Sequence, residues 1–478
     1  MTPTGPNTKA LILGAAWLAL GAGCSVGPDY KVPQAAAPAS FKEDPGWKVA
    51  APDDAANRGP WWESFGDPVL SDLEVQVEKS NQSLLQAEAT YEEAHQLARS
   101  DRTGYLPTVS AVGSGTRSKV PAAVSQSGHA STTSSYTAEL SGSWEPDFWG
   151  KIRRTVEADA ALAQSDAAAV ATARLSLEAT LAQDYISLRT TDDKIRLLEK
   201  AVSDYQRTLE ITKNKYAVGV SARGDLITAQ TQLDSTRAQL IAAGIQRAQY
   251  EHAIAVLVGK APSELSIARR PEVGLANPAV PAVVPSQLLE RRPDIAEAER
   301  AAAAANARIG IQEAAYFPSL SLSGALGFEG SPLNKLITAP FKFWTLGAQA
   351  SDSLLDWGQR HDLVLSARSA YEASAANYRQ TVLTAFQQVE DNLASLRILA
   401  EEAKVQDAAV SEAAQATQIA LNEYNAGTVD FTTVATAQVT ELNNRETALS
   451  ILESQLTSRV ALIQAIGGGW RTSDLPKP

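Results

Sequence analysis

Few of this chain's side chains could do chemistry, and they are scattered. Cys24 is its one cysteine, so neither an internal disulfide nor a cysteine-built metal cluster can form. The histidines His95, His129, His252 and His361 stand far apart in sequence, none with a second histidine at metal-ligand spacing. The patterns HExxH and GxxxxGKS/T do not occur, which sets aside zinc-peptidase and phosphate-loop chemistry. Adjacent acids such as Glu92-Glu93 and Glu401-Glu402 fall in helical stretches, where neighbouring positions point apart, so they read as solvated faces rather than acid–base pairs. The expectation is a protein that is no enzyme and holds no metal or cofactor.

The residue with an evident chemical fate is Cys24. Lys9 precedes the apolar run ALILGAAWLALGAGC, which ends in small residues before that cysteine. The run has the length of a signal peptide and is too short for a comfortable permanent span. Cleavage of residues 1–23 would leave Cys24 as an acylated N-terminus, each buried CH₂ adding about 0.8 kcal/mol of membrane affinity. Gly21 stands where an aliphatic residue is usual in such a signal. Residues 24–67 then carry Pro28, Pro33, Pro38, Pro45, Pro52 and Pro60, a density that reads as an extended, lipidated tether.

The elements that follow are written twice. Tyr105 opens YLPTVSAVGSG and Tyr316 opens YFPSLSLSGALG, 211 residues apart. Trp149-Gly150 matches Trp357-Gly358, ITKNKYAVG (Ile211 to Gly219) matches IALNEYNAG (Ile419 to Gly427), and Gly259 matches Gly467, all at an offset of 208. The repeats are therefore 68–259 and 294–467, joined by a proline-rich connector at 260–293 and followed by a tail at 468–478. Each repeat reads as helix, strand, strand, very long helix, return helix. No Gly or further Pro interrupts Pro68 to Arg102, and Asp67-Pro68 supplies an N-cap and a first-turn proline. The stretches 151–218 and 359–426 each lack Gly and Pro, and as helices each would run about 100 Å. Ile195, Leu198, Val202, Tyr205, Leu209, Thr212 and Tyr216 step alternately by three and four, a coiled-coil stripe. Turns at Gly219 and Gly427 lead into return helices 222–258 and 429–466, making two long hairpins.

Strands are expected at 105–117, 135–146, 316–328 and 343–354. Tyr136, Ala138, Leu140, Gly142 and Trp144 alternate with Thr137, Glu139, Ser141 and Ser143; Leu320, Leu322, Leu326 and Phe328 alternate with Ser319, Ser321 and Ser323. Such runs of about 10 residues span a bilayer when tilted. Tyr105, Trp144, Trp149, Tyr316, Trp344 and Trp357 sit at strand ends, where an aromatic girdle belongs. Four strands cannot close in lipid, where each open-edge group costs several kcal/mol, and the smallest single-chain barrels have about 8 strands. The chain must share a barrel with copies of itself: two copies would make a narrow, side-chain-filled barrel, three a conducting one. A net charge of -12 over 478 residues argues against nucleic acid as a partner.

CSVGPDYKVP (Cys24 to Pro33), PWWESFGDPVLSDL (Pro60 to Leu73), WEPDFWGKIRR (Trp144 to Arg154), LLERRPDIAEAER (Leu288 to Arg300) and AAYFPSLSLSGALG (Ala314 to Gly327) are spread from Cys24 to Gly327. In these motifs the chain resembles the outer-membrane efflux protein family, the TolC type and its NodT-like lipoprotein branch. The resemblance implies a membrane α+β homotrimer, with a 12-stranded β-barrel, four strands per protomer, above a long periplasmic α-helical barrel of coiled-coil hairpins. It implies the exit duct of a tripartite pump, with a periplasmic adaptor protein and an inner-membrane RND-type transporter as partners, set in outer-membrane lipid. Ser25, after the acylated cysteine, agrees with outer-membrane sorting. By position, Val218, Gly219, Val220, Ser221, Ala426, Gly427 and Thr428 match the family's adaptor-docking turns. The family's gate often has an Asp before the Ala-Gln pair; here that position is Thr436, so Thr432, Thr433 and Thr436 are candidates for a neutral constriction, with Arg223, Asp225 and Asp430 as candidates for its charge. A periplasmic coiled-coil adaptor or structural lipoprotein is the alternative; it accounts for Cys24 and one hairpin but not for four amphipathic strands.

Overall fold

The computed structural model describes residues 25–35, 38, 41–43, 60–125, 128–270, 274–276, 291–331 and 333–476. Cys24, the segment 1–23 and residues 44–59 lie outside the described residues.

The first helical stretch is two helices rather than one. α1 spans Pro68–Ser80 and α2 spans Gln82–Arg102. Asp67 caps α1 through a 2.9 Å bond from the Val69 amide. The break falls at Asn81, whose backbone is extended (ψ 122). Its Oδ1 accepts from the Leu84 amide at 3.0 Å while its Nδ2 donates to the Leu257 carbonyl at 2.8 Å. Asparagine competes with helix by bonding nearby backbone, a signal that absence of Gly and Pro does not carry.

Two strands follow, β1 (Thr108–Val120) and β2 (Ser131–Trp144). β1 starts three residues later than expected, because Thr103–Tyr105 close a 3₁₀ turn and Pro107 lacks an amide hydrogen, and β2 starts four residues earlier, because Ser131–Ser134 extend the ladder by pairing with Val120 to Arg117. α3 then runs Lys151–Ala217 and α4 returns over Arg223–Leu257. The same order recurs in α5 (Pro293–Ala314), β3 (Ser319–Gly330), β4 (Lys342–Ser351), α6 (Gln359–Ala426) and α7 (Phe431–Ala465). The strands form one antiparallel sheet in the order β1-β2-β3-β4. Among the described residues no helix is long and apolar enough to cross a membrane.

The hairpins are unequal. α3 has 67 residues against 35 in α4, and α6 has 68 against 35 in α7. The sheet-proximal halves of the long helices are covered by α2 and α5 instead. At the waist, where the hairpins meet these short helices, Trp61, Trp62, Phe65, Leu70, Val77, Leu181, Tyr185, Ile254 and Val460 form one buried cluster. A second cluster nearer the tips holds Ile195, Leu198, Tyr205, Leu209, Leu233, Tyr424, Phe431 and Leu442. The stripe read from sequence is therefore core at Ile195 to Thr212, but Tyr216 is exposed.

Two segments expected to be loose are pinned. Trp61–Phe65 of the tether form a 3₁₀ helix inside the waist core. Residues 25–30 lie along α3 and α5: Arg154, 4% exposed, donates to the carbonyls of Val26 and Gly27 and to Asp29 at 2.9 Å, and Tyr30 donates to Glu299 at 2.6 Å. The connector is held where it passes the waist, Arg270 reaching Asp67 at 2.7 Å and Arg189 donating to the Ala268 carbonyl at 2.8 Å. In the tail, the Pro476 carbonyl accepts from Gln164 at 3.0 Å.

Candidate functional site

The sheet has one apolar and one polar face, and the registers show it row by row. Ala111 pairs with Leu140, Leu140 with Leu326, and Leu326 with Trp344. Two residues along, Val109, Gly142, Gly324 and Leu346 make the next row of the same face. The opposite face carries Ser110, Ser141, Ala325 and Thr345 in one row and Thr108, Ser143, Ser323 and Gly347 in another. Side chains alternate with period 2, so the fixed register gathers Val109, Ala111, Leu140, Leu326, Trp344 and Leu346 on one surface. Among the described residues nothing covers that surface: Val109 is 72% exposed, Trp344 69% and Leu346 80%. An apolar surface of this extent suits lipid, and the polar surface behind it suits water.

The six girdle aromatics divide between two rims. Tyr105, Trp144, Trp149, Tyr316 and Trp357 lie at the helical end, and Trp344 lies toward the other, near the start of β4 and opposite Leu326, four residues short of the Tyr136 row. From the row of Trp144 to that of Tyr136, eight residues rise about 27 Å along the strand. Trp144 Nε1 donates to the Tyr105 carbonyl at 3.0 Å. Trp149 Nε1 donates to the Pro318 carbonyl at 2.8 Å, and its ring stacks on Phe317 at 4.7 Å. Arg360 sits 5.4 Å over the Tyr316 ring. Trp357 stands alone, 89% exposed.

At the opposite end of the long helices, Gly219 (φ 78) and Gly427 (φ 79) take the left-handed conformation that ends a helix. The Val220 amide returns to the Lys215 carbonyl at 2.8 Å, and the Thr428 amide to the Glu423 carbonyl at 3.0 Å. Val218 and Val220 are left exposed at the apex. The two turns are tied together below it. Lys215 Nζ lies 3.8 Å from the Tyr424 ring centre and donates to the Tyr424 carbonyl. Tyr424 Oη donates to Thr212 at 3.2 Å, and its ring meets Phe431 edge-on at 5.7 Å.

The structure brings four of the six gate candidates together. Thr432, Thr433 and Thr436 are exposed on α7 and, with Asp430, Ala413, Ala416, Ala437 and Thr440, line a groove of about 530 Å³. Thr440, one further turn along, completes the stripe and could have been found by its i+4 spacing from Thr436. Arg223 and Asp225 belong to the other turn. Both aspartates hold helix ends: Asp430 Oδ1 accepts from the Thr433 amide and hydroxyl, each at 3.1 Å, and Asp225 Oδ2 accepts from Ser221 Oγ at 2.7 Å and the Ala222 amide at 3.1 Å.

The strongest electrostatic perturbation lies in the waist, at a distance from both ends. Glu74 of α1 is fully buried and neither carboxyl oxygen meets a hydrogen-bond partner among the described residues. Burial, reinforced by nearby Glu178, pushes its pKa from 4.5 to about 10. Burial also raises Glu178 to about 7, against the opposing 3.1 Å bond from Trp61 Nε1. Among the described residues no group of three or more His, Cys, Asp or Glu is placed to hold a metal.

Known proteins agree with this geometry. The family model for outer membrane efflux proteins matches residues 73–260 and 284–468. The probable efflux pump outer membrane protein TtgC of Pseudomonas putida is 31% identical over 468 residues, covering 97% of this chain and 96% of the relative. The cation efflux system protein CusC of Escherichia coli O6:H1 is 27% identical over 455 residues, covering 94% and 96%. The solved structure of the outer-membrane channel OprN superposes with a TM-score of 0.86 at 27% identity, covering 94% of this chain and 100% of that one.

Proposed function

Because this chain belongs to the outer membrane efflux protein family, we propose that it is the outer-membrane exit duct of a tripartite efflux pump, a passive conduit from periplasm to exterior. The observation that carries the reading is a two-faced, four-stranded sheet whose edges β1 and β4 have no partner strand among the described residues, set above long helices of about 100 Å. Open edges are untenable in lipid. Three copies supply 12 strands, wide enough for a water-filled bore lined by the Ser and Thr face. The matching element order of the two halves fits an internal repeat, each half giving one β-hairpin to the barrel and one helical hairpin to the periplasmic tube. Acylated Cys24 and the aromatic rims, Tyr105, Trp144, Trp149, Tyr316 and Trp357 below and Trp344 above, set the depth in the membrane.

The tips supply the control. Val218–Ser221 and Ala426–Thr428 form the surface for a periplasmic adaptor, which in turn links an inner-membrane RND-type transporter. The groove of Thr432, Thr433 and Thr436, headed by Asp430, narrows the bore, with Arg223 and Asp225 beside it on the neighbouring turn. The Lys215–Tyr424–Thr212 link holds each protomer's hairpins together in the closed state. An adaptor opens the tip by binding the open arrangement better, since a ligand shifts an equilibrium only by its differential affinity. No bond is made or broken in the chain during transport; the transporter supplies the energy.

The test is reconstitution of the full chain in planar bilayers. Conductance in discrete steps is expected, small for the native chain and larger for Tyr424→Ala, which removes the link at the tip. A chain that extracts as a single copy and leaves the bilayer impermeable overturns the proposal.

A further inference from the structure

The repeat is exact at the level of strand register, and that specifies a joint the single chain leaves open. Shifting β1 by 211 and β2 by 208 carries the pair Thr108–Ser143 onto Ser319–Ser351, which is the observed register of β3 with β4. The chain also contains the joint between halves, where β2 meets β3 from Trp144–Leu322 to Tyr136–Gly330. The corresponding joint, from β4 onward to a strand equivalent to β1, is absent within the chain, because β1 and β4 are the two edges of the sheet.

We propose that β4 of one copy pairs antiparallel with β1 of the next in the register copied from the β2–β3 joint; this rests on the oligomeric barrel proposed above. The same offsets turn Ser141–Ala325 into Gln349 opposite Ser114 of the partner subunit, and Ser143–Ser323 into Ser351 opposite Val112 of the partner subunit. Tyr136–Gly330 becomes Trp344 opposite Lys119 of the partner subunit. On the polar surface the faces agree, Thr345, Gly347 and Gln349 meeting Ser118, Thr116 and Ser114 of the partner subunit, while on the apolar surface Trp344 and Leu346 meet Lys119 and Arg117 of the partner subunit toward the outer end. A register displaced by one residue would reverse this.

A second observation, independent of the strands, points to the same seam. Trp149, just beyond β2, is docked against the start of β3 through Phe317 and the Pro318 carbonyl. Its counterpart Trp357, just beyond β4, has the same residue type and the same following glycine, yet is 89% exposed on a backbone with φ 56, which L residues other than glycine rarely adopt. Subtracting 211 from Phe317-Pro318 gives Leu106-Pro107, and Leu106 is itself 66% exposed. Trp357 is built to close on Leu106 and the Pro107 carbonyl of the partner subunit, as Trp149 closes on Phe317 and Pro318.

Cysteine pairs in the full-length chain test this in membranes. Facing residues of an antiparallel pair have Cα atoms about 4.5–5.5 Å apart, inside the disulfide window of about 4.4–6.8 Å. Ser114→Cys with Gln349→Cys should, on mild oxidation, convert the monomer band on denaturing gels into covalent multimers ending at three copies, with neither single variant doing so. Ser110→Cys with Gln349→Cys places the thiols four residues, about 13 Å, out of step and should leave the monomer band intact. Cross-linking of the Ser110 pair instead, or no cross-link in chains that still migrate natively as oligomers, overturns the register while leaving the oligomer standing. Chains that migrate natively as single copies overturn both.

Discussion

Removing the carboxyl group of Glu74 should stabilise the protein, and by an amount that grows with pH. Glu74 is fully buried in the waist, and its pKa is pushed from 4.5 to about 10, first by burial and then by Glu178. A raised folded-state pKa means that the folded chain binds a proton the unfolded chain has released. Stability from this group is fully present below about pH 4.5 and is lost progressively as pH rises toward about 10. At pH 7 the gap of roughly 2.5 pH units above the unfolded value corresponds to about 3 kcal/mol per protomer, an upper estimate. Glu74→Gln keeps the shape and removes the titration. The assay is thermal unfolding of the detergent-solubilised protein at several pH values. Native and variant should coincide near pH 4.5, and the variant should unfold several degrees higher at pH 8, on a scale of roughly 2–4 °C per kcal/mol for mid-sized domains and less for a longer chain. An unchanging gap across that range would refute the account, because it would mean that Glu74 does not titrate differently on folding. A native protein that gains stability between pH 5 and pH 8 relative to the variant would invert the sign and place a cation near Glu74.

Two further outcomes follow from the geometry. Asp430→Ala removes the oxygen that accepts from the Thr433 amide and hydroxyl; loss of such a cap costs about 1 kcal/mol, and amide exchange at Thr432 to Val434 should quicken while the rest of α7 keeps its protection. Arg154→Ala strips the donors that hold Val26, Gly27 and Asp29; at about 3 kcal/mol for the charge-assisted bonds lost, residues 25–30 should become sensitive to protease, and unchanged resistance would show that Tyr30, the 2.9 Å bond from Asn306 to the Pro28 carbonyl and the 3.2 Å bond from the Val26 amide to the Trp149 carbonyl suffice to hold the segment.

Much of the architecture was legible because local rules decide it. A stretch of 68 residues without Gly or Pro has no means to turn, so the long helices could be read with ends within a residue. Alternation in β2 and β3 was equally plain. Strand starts were misplaced because a tyrosine before proline resembles strand yet sits in a turn, and the break at Asn81 was missed because its cause is a contact with Leu257, 176 residues away. The tip candidates came from the family resemblance and the turns at Gly219 and Gly427, but that Asp225 and Asp430 serve as helix caps depends on side-chain direction.

Sequence by itself determined the recurring phrases at offsets of 208 and 211, the helix lengths and the two faces of each strand, since each follows from neighbours along the backbone or from counting. Tertiary structure decided that β2 pairs with β3, that the tether and connector are bound to the waist, that Lys215 meets Tyr424, and that Trp149 is docked where Trp357 is bare. Those facts depend on groups far apart in the chain meeting within a few ångströms. Periodicity along a backbone cannot encode such meetings, because it records which face a residue occupies and not what lies across from it.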